Sequence, residues 1–174
     1  MTSWHINDWV VARVWNVSEI RSRVGKLGLE LGPTLPAWVV SEFERNYSVV
    51  LPKSYRNFLL SVGDGGAGPF GGLWSLNRSY GPVNEEWWPR FLATPFAFTE
   101  AVGPEVIGDY DYDEDGLVVG SMIVAEIGCG AFVRLVVTGD SAGKVWFDNL
   151  GIDSTLEPGP DFCDWYMDWV CSMG

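Results

Sequence analysis

The chain has 174 residues with 47% apolar composition, enough for one domain with a sizeable core and too apolar for a disordered chain. Eleven basic residues against 23 acidic ones give a net charge of −12, which repels phosphate backbones and argues against nucleic acid as a partner. That charge suits either simple solubility or electrostatic attraction of a basic protein.

In chain order, residues 1–16 carry Trp4, Trp9, Val10, Val14 and Trp15 at a loosely helical spacing. The segment from Val17 to Leu29 predicts a helix, with Ser18 as a candidate N-cap and Gly28 as the stop. Pro33-Thr34-Leu35-Pro36 breaks the chain, and Val39, Val40, Phe43 and Tyr47 then mark one face of a second helix. Leu51-Pro52 opens a third, in which Tyr55, Phe58, Leu59 and Val62 follow the i, i+3, i+4, i+7 pattern. Gly63 is the candidate left-handed stop. The glycine-rich stretch from Asp64 to Gly72 lacks the Gly-Lys-Ser/Thr of a phosphate loop, so it reads as a connection into a first strand, Leu73 to Leu76.

Residues 77–116 are the least regular. Glu85, Glu86, Trp87 and Trp88 form one acidic-aromatic cluster, and Asp109, Tyr110, Asp111, Tyr112, Asp113 and Asp115 form another. The second fits the first half of an EF-hand loop, but Val119 and Met122 stand where oxygen ligands would be needed, so no calcium or other metal is expected. It reads either as a solvated turn or as an anionic, Tyr-bearing contact surface.

From Met122 to Phe147, three short β-branched runs are separated by Gly128-Cys129-Gly130 and by Gly139 to Gly143. They predict the centre of a sheet. Phe132 to Thr138 is apolar almost throughout except at Arg134, as expected of an interior strand with a neighbour on each edge. Gly151 to Gly159 reads as a loop, and Asp161 as the N-cap of a closing helix with Phe162, Trp165, Tyr166, Trp169 and Val170 on one face. Helices leading into one mainly antiparallel sheet, closed by a C-terminal helix, make an α+β fold. Phe58, Leu59, Leu135, Val137, Trp146 and Trp165 are its predicted core.

These motifs resemble the SUKH superfamily of bacterial toxin-immunity proteins and yeast Smi/Knr-type cell-wall-assembly regulator domains. The resemblance rests on Leu51-Pro52, Tyr55-Arg56, Phe58-Leu59, Gly65-Gly66 and Gly72-Leu73-Trp74, then on Ile127 to Gly130, Leu135 to Gly139, Gly143 to Trp146, and the Trp165-Tyr166 and Trp169 ending. It covers about residues 36–174 and not residues 1–30, and residues 1–174 are expected to form one SUKH-like domain. The superfamily usually has Asn-Gly after the third helix, where this chain has Asp64-Gly65.

The resemblance implies a non-enzymatic immunity protein that binds and neutralises a cognate toxin domain, such as a nuclease or deaminase, or else a general interaction scaffold. The two acidic-aromatic clusters are then the candidate contact residues. A carboxylate-dependent hydrolase is the alternative from another class. A single histidine, His5, offers no evident Ser-His-Asp or Cys-His system, and Cys129, Cys163 and Cys171 form neither a CxxC nor a disulfide pattern. No cofactor is expected. The apolar window from Leu117 to Val133 is interrupted by Ser121, Glu126 and glycines, so no membrane span is expected, and no secretory signal is evident. A cytoplasmic protein, monomeric when free, is the expectation.

Overall fold

A computed structural model describes residues 16–78, 90–108 and 114–173. Three helices lead the chain: α1 (Val17–Lys26), α2 (Ala37–Tyr47) and α3 (Lys53–Ser61). Two short ones, α4 (Pro104–Ile107) and α5 (Glu114–Val118), precede the sheet of β1 (Ser121–Gly128), β2 (Ala131–Val136), β3 (Lys144–Asp148) and β4 (Leu156–Asp161). Helix α6 (Phe162–Ser172) follows directly. The sheet is an antiparallel meander in the order β1-β2-β3-β4, so the fold is α+β.

Helix α1 is capped by Asn16, not Ser18. The Asn16 side chain accepts the Glu19 amide, and the Glu19 carboxylate accepts the Asn16 amide in return. Ser18 supports the cap by donating its hydroxyl to Asn16 Oδ1. Gly28 takes the left-handed stop at φ +63, and the Leu29 amide reaches back to the Val24 carbonyl at 3.1 Å.

Helix α3 starts after Pro52, which serves as its N-cap residue. The expected left-handed stop is not at Gly63. Positive φ values fall two and three residues later, at Gly65 (+75) and Gly66 (+100). Gly63 is small for a different reason: a Cβ there would stand 2.7 Å from the Gly32 carbonyl oxygen and 2.8 Å from Leu31 Cβ.

One core joins α3, α6 and the sheet. Phe162 meets Tyr55 and Phe58 edge-on at ring-centroid distances of 4.8 and 5.2 Å, and Tyr166 meets Phe58 at 5.0 Å. Phe58, Leu59, Leu135, Val137, Trp146 and Trp165 are all buried, as predicted. Strand β2 does lie between β1 and β3, and its exceptional Arg134 pairs with buried Asp148 on β3.

The β1–β2 connection is a two-residue hairpin, with Gly128 opposite Ala131. Cys129 (φ 54) and Gly130 (φ 85) both lie in the left-handed region, as a type I′ turn requires.

Two further expectations are corrected. The stretch from Leu73 to Leu76 does not form a strand of the sheet. Leu73 makes a single bridge to Gly66, and the Trp74 amide donates to the Val124 carbonyl at 2.9 Å. The Leu76 amide is then taken by Asp64 Oδ1 at 2.7 Å, so the main chain leaves the edge of β1. Conversely, part of the expected loop from Gly151 to Gly159 is β4. Pro158 and Pro160 lack amide protons, and an edge position accommodates that.

Candidate interaction surface

Of the candidate contact residues, Glu85, Glu86, Trp87, Trp88, Asp109, Tyr110, Asp111, Tyr112 and Asp113 lie outside the described residues. Asp115 is described, and it is not on an open acidic surface. It sits in α5 at 8% exposure, directly before buried Leu117, Val118 and Val119.

The glycine-rich connection is built as a scaffold. It bonds to the segment after α1, where Gly32 donates to Gly65 at 2.9 Å and Ala67 donates to Glu30 at 2.8 Å, and it is closed on itself by Gly66 and Leu73, which exchange both backbone bonds. A Cβ at Gly66 would meet the Glu30 carbonyl oxygen at 2.7 Å, so only glycine permits this approach. The Tyr166 hydroxyl donates to the Ala67 carbonyl at 3.1 Å and fixes the loop to α6. Burial pushes the Tyr166 hydroxyl well above its usual range, so it stays a proton donor.

Two hollows flank the Gly71-Gly72 ridge of this loop. One, about 280 Å³, is lined by Trp74, Arg78, Glu126, Ile127 and Gly128 besides the ridge. The other, about 590 Å³, includes Glu30, Phe70, Leu73, Trp169 and Met173. Phe70 is 57% exposed and Met173 51%. Trp74 is half-buried, edge-on to Phe132 at 6.3 Å, with the Arg78 guanidinium 4.0 Å from its ring centre. None of these residues was singled out as a contact in the sequence. The available signal was a phenylalanine set among glycines, where neither helix nor strand periodicity assigns it a core role.

A third hollow, about 690 Å³, lies beside the start of α3 and is lined by Val50, Leu51, Lys53, Ser54, Asp161 and Cys163 among others. Two of its polar side chains are engaged in structure: Ser54 donates to Asp161 Oδ2 at 3.1 Å, and Asp161 Oδ1 accepts the Cys163 amide at 2.9 Å. Burial, with the Asp161 and Asp164 charges adding to it, pushes the Cys163 thiol up to about 12. A thiol so placed remains protonated and is no nucleophile. Burial first, then Asp161 and Asp168, also raises Asp164. Among the described residues no group of His, Cys, Asp and Glu side chains is placed to hold a metal ion, and no helix is long and apolar enough to cross a membrane.

Residues 35–168 match the family described as SMI1 / KNR4 family (SUKH-1). The chain belongs to this family. No curated protein and no solved structure shows significant similarity to it. The SUKH-1 match takes in α2 through most of α6 and leaves α1 outside.

Within this SUKH-1 chain several of the motif residues are structural. Leu51 is buried and donates its amide to Glu44 of α2, and Arg56 pairs with the same carboxylate at 3.2 Å. Tyr55 and Phe58 hold α6, and Gly65 and Gly66 shape the loop. The motifs therefore define the scaffold, and they leave partner choice to surface residues.

Proposed function

We propose that this SUKH-1 protein is a non-enzymatic immunity protein: it binds a cognate toxin domain one-to-one and inhibits it without turnover. The observation that carries this reading is the family match over residues 35–168. The net charge of −12 supports a basic partner, because opposite charge steers encounter and raises the association rate. Nucleases and deaminases act on polyanions and so present basic surfaces, which makes them the favoured toxin classes. Glu85, Glu86, Trp87 and Trp88, with Asp109, Tyr110, Asp111, Tyr112 and Asp113, are proposed to supply steering charge and aromatic area. Buried Asp115 is left out of that set.

The test uses a toxin domain sought in this protein's gene neighbourhood and by co-purification with it. Purified immunity protein should abolish the toxin's activity at a one-to-one ratio, and added excess should not change the toxin covalently. Replacing Asp109, Asp111 and Asp113 together by Ser should slow association at low salt and leave dissociation nearly unchanged. An unchanged low-salt association rate would reduce that segment to a solvated turn. Failure of the wild-type protein to inhibit the toxin would refute the immunity reading itself.

A further inference from the structure

Phe70 has φ +59, a left-handed conformation that is costly for any residue with a Cβ and unusual for a bulky aromatic. Folding offers little in return, since 57% of the residue is exposed. Glycines occupy the neighbouring Gly68, Gly71 and Gly72 positions, so the loop readily accepts glycine, yet a phenylalanine stands at the strained site. Backbone strain maintained without a folding benefit points to a use outside the fold.

The surroundings fit a contact site. Phe70 stands beside Gly71, where the main chain carries no side chain to obstruct an approaching surface. Phe70 lines the larger hollow with Met173 (51% exposed) and half-buried Trp169, and the smaller hollow, which shares Gly71 and Gly72 with it, exposes Ile127 (36%) beside half-buried Trp74. The charged residues lining them are Glu30, Glu126 and Arg78, and Arg78 is held against the Trp74 ring. The exposed carboxylates of Glu30 and Glu126 flank the apolar centre, the arrangement that complements a basic protein surface with an apolar pocket.

We propose that Phe70, with the hollow it lines and the adjoining one across Gly71-Gly72, is a docking site for the toxin domain, the ring entering an apolar pocket ringed by basic side chains. This site rests on the immunity reading and is separate from the acidic segments outside the described residues.

The experiment compares three variants of the full-length protein with the wild type against that same toxin domain. Phe70→Gly removes the ring and the strain together: Tm should rise by about 2–4 °C, while toxin Kd should weaken by about thirtyfold. Phe70→Ala keeps the strained backbone, so affinity should fall without a gain in Tm. Gly71→Arg tests the hollows. A Cβ at Gly71 meets nothing within 4 Å and its φ lies outside the left-handed region, so the fold should tolerate the change while the cationic side chain blocks a basic partner. If the wild-type protein inhibits the toxin and all three variants bind it as tightly, the site is overturned and the immunity reading stands. If the wild type does not bind, both fall. Loss of a wild-type dimer in Phe70→Gly, with toxin affinity unchanged, would assign the surface to a second copy of this chain and overturn the proposal.

Discussion

Arg134 is the one charged residue in an otherwise apolar central strand, and its pairing with Asp148 can be tested quantitatively. The two side chains are 12% and 4% exposed. Arg134 Nε donates to Asp148 Oδ2, and Asp148 Oδ1 accepts the Leu150 amide at 3.1 Å. Arg134→Met keeps much of the aliphatic stem but leaves a buried carboxylate without its cation, which should cost about 3–5 kcal/mol. Asp148→Leu strands the guanidinium and the Leu150 amide and should cost at least as much. In the double variant no buried charge remains, and only the orphaned Leu150 amide is left, a loss of about 1–3 kcal/mol. The cycle should therefore show strong positive coupling, with the double variant more stable than either single one. Urea unfolding followed by tryptophan fluorescence reads all four proteins, since Trp146 lies opposite Arg134 in the ladder. A loss below about 1 kcal/mol for Arg134→Met, or simple additivity, would show that the pair is solvated and refute the argument.

Two further outcomes are expected. Leu135 is fully buried, opposite Met122 and Val145, so Leu135→Ala should lower stability by about 2–5 kcal/mol in the same urea assay, and a loss under about 1 kcal/mol would mean the site collapses freely. Burial raises Asp64 above its usual carboxyl value, opposed by the bond from the Leu76 amide. The folded form then binds its proton more readily than the unfolded chain. This group therefore penalises folding above its folded pKa, and the penalty fades as pH falls towards the ordinary carboxyl value of 3.8. Asp64→Asn retains an oxygen for Leu76 and should raise Tm at pH 7 but not at pH 3, whereas an equal shift at both values would rule out the charge as the cause.

What the sequence disclosed followed the strength of local periodicity. Helices α2, α3 and α6 carry apolar stripes at helical spacing, and β1 to β3 carry β-branched runs bounded by glycine. Strand β4 was obscured because Leu156–Asp161 contains two prolines and a glycine, residues that signal a loop unless the strand is known to lie at an edge. Edge position is a tertiary fact. So is the use of Gly63, where the demand for smallness comes from Leu31 and Gly32.

The candidate site was harder to read for the same reason. Phe70, Trp169 and Met173 line one hollow and Ile127 the adjoining one, in a region where Tyr166 ties α6 to the glycine-rich loop and the Trp74 amide bonds to β1. No local pattern encodes that meeting. A residue's departure from local preference carried more information here than its agreement. Arg134 in an apolar strand marks the buried ion pair, and Phe70 among glycines marks the strained exposed ring. The first departure is resolved inside the fold by Asp148. The second has no comparable burial within the described residues, and that contrast is why a docking site is proposed at Phe70 and not at Arg134.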